Sequence, residues 1–118
     1  MQRHLRLRRR QDFARLRQQG RTWRHPFVIV SVTPNELPHN RYGFVTGKSL
    51  GKAVVRNYIR RILREIVREA HAHLRQGYDI AFIARPAIVG QSFQAVRQAV
   101  HSVLHSAGLW QTPMEDTP

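Results

Sequence analysis

Three short runs of β-branched and aromatic residues predict the strands of a sheet. They are FVIVSV (27–32), RYGFVTG (41–47) and YDIAFIAR (78–85), and such residues suit a pleated, half-buried surface. The segment TPNELPHN between the first two runs is rich in proline and asparagine, which predicts a turn. A fourth segment, RTWRH (21–25), is ambiguous and is compatible with a short edge strand.

Two shorter helices are predicted near the two ends of the chain. The first has Asp12 near its start, places Phe13 and Leu16 on one face, and stops at Gly20. The second covers SFQAVRQAVHSVLHSAG, which begins at a possible cap, Ser92, and ends at a glycine.

The longest predicted helix, residues 51–76, has two chemically different sides. Successive residues of a helix are 100° apart, which places its apolar and basic side chains on opposite sides. The apolar side carries Val55, Ile59, Ile62, Leu63, Ile66 and Ala70. The opposite side carries Arg56, Asn57, Arg60, Arg61, Arg64 and Arg68. Glu65 and Glu69 fall at the border, where we expect them to relieve little of the repulsion between the arginines.

The order helix, strands, helix, strand, helix predicts an α+β fold with helices packed on one sheet. A chain of 118 residues has the usual size of a single domain. We expect a mobile basic arm over residues 1–10, one folded domain over 11–108, and a flexible tail over 109–118.

The balance of charge predicts a polyanionic partner. Lysine and arginine number 20 against 7 acids, which gives a formal net charge of +13, and a compact chain with this charge repels itself. Arginine outnumbers lysine 18 to 2, and its planar guanidinium pairs with phosphate and stacks on bases. A GC-rich genome would also favour arginine over lysine, but it would not explain the excess over acids. Nucleic acid is therefore the expected partner, and a membrane surface is the weaker candidate.

Several classes of site are excluded by composition. The chain has no cysteine, which excludes disulfides, thiolate chemistry and cysteine–zinc sites. No apolar run approaches the ~20 residues that span a bilayer, and the basic N-terminus lacks the apolar segment of a secretory signal. We therefore expect a cytoplasmic protein with no membrane partner.

The arginine side of the long helix has a second interpretation, as a solvated face. A solvated face usually mixes charges of both signs, whereas the centre of this one carries no acid. Arginines at i, i+4 spacing repel each other by a few tenths of a kcal/mol per pair. Binding of phosphates would relieve this repulsion and release counterions, so the pattern favours a binding surface.

The segment GFVTGKSLGKAVVRNYIRRILRE (43–65) resembles the signature of the protein subunit of bacterial ribonuclease P. The similarity extends to RLRRRQDFARL before it and GYDIAFIARP after it, and covers roughly residues 5–107. It implies a single-domain αβββαβα sandwich, in which helices pack on a four-stranded sheet. It also implies a left-handed βαβ crossover, as in the fold class called ribosomal protein S5 domain 2-like.

The resemblance also implies site residues. The RNA-binding set, completed by Arg68 from the helix pattern, is Lys48, Lys52, Arg56, Asn57, Arg60, Arg61, Arg64 and Arg68. Phe13 falls on an aromatic of a cleft that binds the 5′ leader of precursor tRNA. Arg17 and Val30 stand in that cleft where the family often has a second aromatic and a tyrosine. Tyr58 and Ser49 likewise replace basic residues of the helix motif and the turn before it, which puts one or two phosphate contacts in question.

The sequence predicts neither a catalytic site nor a metal site in the protein itself. Asp79 and Glu36 lie near strand ends without an obvious partner, and hydrolysis by two metal ions needs clustered carboxylates. His101 and His105 have a spacing that can hold a metal, but a surface pair is the expected interpretation because no third ligand is evident. In the resembling family Mg²⁺ acts in the holoenzyme, bound mostly by RNA phosphates, so no cofactor is expected on the protein alone.

The expected function is that of a non-catalytic subunit of ribonuclease P. The RNA subunit carries the chemistry, and the protein assists it in removing the 5′ leader from precursor tRNA by binding the ribonuclease P RNA and the leader. One alternative is a ribosomal or RNA-chaperone-like protein without a part in tRNA processing. A second alternative, a stand-alone basic nuclease, is disfavoured by the absence of a carboxylate cluster.

Overall fold

The computed structural model describes residues 1–111. The helices and strands are α1 (Arg10–Gln19), β1 (Arg21–Arg24), β2 (Val28–Pro34), β3 (Arg41–Val45), α2 (Ala53–Ala70), β4 (Tyr78–Ala84) and α3 (Phe93–Ser106). Their order confirms the predicted α+β fold and its αβββαβα sequence of elements. In the described range no helix is both long and apolar enough to cross a membrane.

The four strands form one mixed sheet in the order β1-β2-β4-β3. Strand β2 pairs antiparallel with both of its neighbours, whereas β3 and β4 are parallel. Parallel neighbours need a crossover connection, and α2 supplies it. The segment after α1 that the sequence left ambiguous forms the edge strand β1.

The two faces of the sheet have different cores because side chains alternate along each strand. Val28, Val30 and Val32 of β2 lie on the face that packs against α2 and α3 in the main core. Leu16 of α1 packs with Ala81 on the opposite face, in a smaller cluster. Most of the predicted apolar side of α2 is buried, whereas Val55 is only partly buried. The buried residues are Ile59, Ile62, Leu63, Ile66, Ala70 and, in addition, Val67.

The N-terminal segment packs against the domain, so the prediction of a mobile arm is wrong for residues 3–7. Leu5 joins the main core and Leu7 joins the smaller cluster. Between them, Arg6 forms a parallel bridge with Tyr42, and the amide of Leu7 donates to the Tyr42 carbonyl at 2.7 Å. The segment therefore covers part of the free edge of β3, and such edges are commonly covered in native sheets.

Two further boundaries differ from the prediction. Helix α2 ends at Ala70 rather than near residue 76, and a 3₁₀ turn, His71–His73, follows it. The chain turns there because Leu74 is buried and pairs with Trp110 in an isolated bridge. Leu109 is also buried, so the prediction of a flexible segment is wrong at this residue. The rest of that tail, residues 112–118, lies outside the described residues.

One buried carboxylate connects α1 to the sheet. Asp79, which the sequence left without a partner, is fully buried in β4 and forms ion pairs with Arg15 of α1 and Arg41 of β3. Arg41 donates from Nε and Nη2 to the two carboxylate oxygens, at 2.9 and 2.8 Å. Asn35, just after β2, donates to the same carboxylate at 3.0 Å. The hydrogen bond with Asp79 raises the pKa of Arg41, so this guanidinium stays charged.

Replacement of Asp79 by alanine should destabilise the fold by about 3 kcal/mol, because it leaves Arg15 and Arg41 without their buried partner. Urea denaturation measures the free energy of unfolding. The matched control is Glu69→Ala, which removes a half-exposed carboxylate paired with Arg97 at 3.8 Å and should cost less than about 1 kcal/mol. Equal losses in the two variants would contradict a structural role of Asp79.

Candidate nucleic-acid interface

The exposed side of α2 forms a basic ridge, defined here as Arg56, Asn57, Arg60, Arg61 and Arg64. The ridge lies on the side of the helix opposite the buried residues, as the sequence predicted. Lys48 and Lys52 are exposed just before the helix begins, beside the exposed Ser49. The structure therefore brings together the basic residues that the resemblance selected.

Neutral groups hold the centre of the ridge in place. Arg60 donates from Nη1 to Oδ1 of Asn57 at 2.9 Å and from Nη2 to Oγ1 of Thr46 at 2.5 Å. These acceptors orient the guanidinium without neutralising its charge. The guanidinium of Arg64 lies 6.0 Å from the ring centroid of Phe44, within the range of a cation–π contact.

The pKa of Arg64 is lowered, first by partial burial and then by the positive charges of Arg6 and Arg60. A neighbouring cation has this effect because it disfavours the charged form. The ridge is therefore a region of positive potential, to which an anion would be attracted.

Arg68 differs from the ridge residues, although the sequence grouped it with them. Arg68 donates to the carboxylate of Glu65 from Nε at 3.1 Å and from Nη2 at 2.5 Å. The hydrogen bond lowers the pKa of Glu65 and raises that of Arg68. The expectation that the acids of this helix relieve little of its charge is therefore wrong at Arg68, which already has an anionic partner.

The N-terminal segment adds two arginines that were not predicted individually. Arg6 and Arg8 line a cavity of about 180 Å³ together with Arg60 and Arg64, over the backbone of β3. Within residues 1–111 none of these four arginines forms an ion pair with a carboxylate. The alternation of leucine and arginine in HLRLR was the signal for them, because it buries the leucines and turns the arginines outward.

A groove of about 490 Å³ lies between α1 and the sheet. Phe13 and Arg17 line it, as the resemblance implied. The other lining residues are Leu16, Thr22, Ile29, Ser31, Val45, Ala81 and Ile83. The groove therefore combines an apolar floor with one cation and two hydroxyl groups.

Val30 does not line this groove, so its assignment to the cleft is wrong. Its side chain is fully buried in the main core on the other face of the sheet. Side chains alternate between the two faces of a strand. Ile29 and Ser31, one residue to either side of Val30, line the groove, so Val30 must point to the other face.

The position of Phe13 depends on a glycine in β3. A Cβ atom at Gly43 would lie 2.5 Å from Cζ of Phe13, closer than any real contact. The ring also packs against Leu7, Leu16 and Ala81 and remains partly exposed. Phe13 is thus both a member of the smaller cluster and a wall of the groove.

The histidines do not extend this surface. The rings of His101 and His105 lie 4.6 and 4.8 Å from that of Trp110. His101 is partly buried and His105 is exposed, so the two form a surface pair packed on Trp110. Burial lowers the pKa of His101. Over residues 1–111, no group of three or more histidine, cysteine, aspartate or glutamate side chains could hold a metal ion.

Comparison with known proteins gives a consistent result. The family model for ribonuclease P matches residues 1–108. The ribonuclease P protein component of Herpetosiphon aurantiacus is 43% identical over 110 residues, which cover 93% of this chain and 89% of the relative. The structure of the RNase P protein of Staphylococcus aureus superposes with a TM-score of 0.85 at 29% identity, covering 91% of this chain and 98% of that one. The RNase P protein of Thermotoga maritima gives 0.80 at 30% identity, covering 86% and 96%.

Loss of two ridge arginines should weaken binding to a bacterial ribonuclease P RNA and reduce its salt dependence. For the double variant Arg60→Ala, Arg64→Ala we expect the log–log slope of affinity against salt to fall by roughly one for each lost phosphate contact. Filter binding over a series of salt concentrations measures this slope, and circular dichroism checks that the variant is folded.

The matched control removes the same charge from the other edge of the sheet. Arg21 and Arg24 are exposed on β1, and their double replacement by alanine should leave the slope close to that of the unmodified protein. An equal fall in both double variants would mean that a diffuse positive field, not the ridge, binds the RNA.

Proposed function

Because the chain belongs to the ribonuclease P protein family, we propose that it binds the ribonuclease P RNA through the basic ridge and the 5′ leader of precursor tRNA through the groove. It acts as a protein component of ribonuclease P, and its partner is RNA. The reaction it serves is the endonucleolytic removal of the leader, in the bacterial cytoplasm.

The observation that carries this proposal is the arrangement of the two surfaces around β3. Phe44 contacts Arg64 on one side of the strand, and Val45 lines the groove on the other. Gly43, the residue before Phe44, lines the cavity that holds the four arginines and also lies against Phe13. A folded RNA on the ridge and a single strand of RNA in the groove would therefore lie on opposite sides of β3.

The ridge suits a folded RNA because it carries four arginines, none of which forms an ion pair within residues 1–111. Arg60 and Arg64 lie one helical turn apart, and Arg6 and Arg8 of the N-terminal segment line the same cavity. Arginine forms bidentate hydrogen bonds with phosphate oxygens. Phosphates that approach this cluster would relieve the repulsion from Arg6 and Arg60, which, after partial burial, lowers the pKa of Arg64.

The groove suits a single strand rather than a duplex. Its apolar residues, with the partly exposed ring of Phe13, give unpaired bases a surface on which to stack, and Arg17 supplies a cation for the backbone. A duplex hides its base faces, and it would gain little from such a surface.

The RNA subunit supplies the chemistry in this proposal, and the protein supplies binding and orientation. We expect Mg²⁺ to act in the holoenzyme on the RNA, and two of the described carboxylates are already engaged by arginines. Asp79 is engaged by Arg15 and Arg41, and Glu65 is engaged by Arg68. RNA phosphates are the better ligands for this ion.

Reconstitution tests the proposal. The protein added to a bacterial ribonuclease P RNA at low Mg²⁺ should stimulate cleavage of precursor tRNA at the 5′ end of the mature tRNA, whereas the protein alone should not cleave. Absence of stimulation would favour an RNA-binding protein with a different role. Cleavage by the protein alone would indicate a stand-alone nuclease.

The same assay separates the groove from the ridge. Phe13→Ala should lower the affinity of the holoenzyme for a long-leader precursor by roughly fivefold or more, which is the effect of about 1 kcal/mol or more for one lost base stack. It should change binding of mature tRNA little. Thermal denaturation checks the fold, since Phe13 also packs against Leu16. Equal losses for both RNAs in a folded variant would contradict a leader-binding groove.

A further inference from the structure

Two exposed apolar side chains interrupt the charged surface of α2. Val54 is 74% exposed and Tyr58 is 49% exposed, and both rank among the large apolar residues that the fold leaves in solvent. They are four residues apart and therefore neighbours on one side of the helix. The main core does not use them, because the buried residues of α2 begin at Ile59.

The ring of Tyr58 lies among cations. The guanidinium carbon of Arg61 is 5.6 Å from the ring centroid, within the distance of a cation–π interaction. A shallow groove of about 550 Å³ lies beside this pair. Its lining residues are Val54, Asn57, Tyr58, Arg60, Arg61 and Arg64.

An exposed aromatic ring beside several arginines favours a ligand that has a planar aromatic group and a negative charge next to it. A phosphate would pair with the arginines but would gain nothing from the ring of Tyr58 or from Val54. An apolar protein surface would bury the ring but would leave several guanidiniums without partners, which is costly. A nucleobase on a strand whose phosphates contact Arg60 or Arg64 satisfies both requirements, because every base has a face that stacks on an aromatic ring.

We propose that Tyr58, with Arg61 beside it, forms a stacking site for an unpaired base of the RNA that binds the ridge. The inference rests on the proposed function, since it assigns to the same RNA a contact that is not electrostatic. A stacked base would add a contact that only an unpaired nucleotide can make, whereas phosphate contacts fix position and orientation but carry no sequence information.

Salt dependence distinguishes stacking from phosphate binding. Tyr58→Ala should weaken binding to a bacterial ribonuclease P RNA on the order of tenfold, the usual effect of one lost base stack, while the log–log slope against salt stays unchanged. Tyr58→Phe should bind like the unmodified protein because it keeps the ring. Tyr58→Leu keeps apolar area but no planar ring, and it should lose about as much affinity as Tyr58→Ala.

A matched control and a direct readout complete the test. Phe93→Ala removes an aromatic of similar exposure, 38%, from the start of α3, and it should leave the affinity unchanged. Ultraviolet crosslinking followed by mass spectrometry should identify a nucleotide adduct on Tyr58. Full affinity in Tyr58→Ala, or in Tyr58→Leu, would overturn the stacking site.

The two proposals fail in different ways. If Tyr58→Ala binds normally while the Arg60→Ala, Arg64→Ala variant loses affinity and slope, only the stacking site is wrong. If the unmodified protein does not bind ribonuclease P RNA, the proposed function is wrong, and the proposed stacking site is wrong as well.

Discussion

The ion pairs of the buried Asp79 carboxylate are the interaction on which the arrangement of the ridge and the groove depends. It joins α1 to the sheet through Arg15 and joins β3 to β4 through Arg41. Because the groove lies between α1 and the sheet, its width depends on this connection. The chain has only 7 acids for its 20 lysines and arginines. One of these acids is used in the interior, and few are left to neutralise the surface.

Strand β3 divides the two surfaces that the proposal assigns to RNA. Its alternating side chains face the main core and the ridge on one side and the groove on the other. The N-terminal segment crosses its free edge, contributing Leu5 to one core, Leu7 to the other, and Arg6 and Arg8 to the cavity between them. A change in β3 would therefore alter both surfaces together.

The sequence predicted the features that depend on local periodicity. The two-sided character of α2, the strands and the cap at Ser92 all follow from neighbours within a few positions, and Ser92 does accept a hydrogen bond from the amide of Ala95.

The Asp79 network could not be predicted in this way, because Arg15 is 64 residues distant along the chain. The alternation of side chains along β2 predicts that Val30 points away from the groove, whereas the resemblance to the family motif placed it in the cleft. The pairing of Glu65 with Arg68 depends on side-chain conformation, which a helical wheel does not give.

Chemical footprinting of arginine tests the central claim most directly. Phenylglyoxal modifies accessible guanidiniums, and mass spectrometry measures the extent of modification at each arginine with and without saturating ribonuclease P RNA. We predict that Arg56, Arg60, Arg61 and Arg64 become protected in the complex, while Arg21 and Arg24 on the far edge of the sheet react as they do in the free protein. Unchanged reactivity of the four ridge arginines in a saturated complex would contradict the claim that this side of α2 binds the RNA.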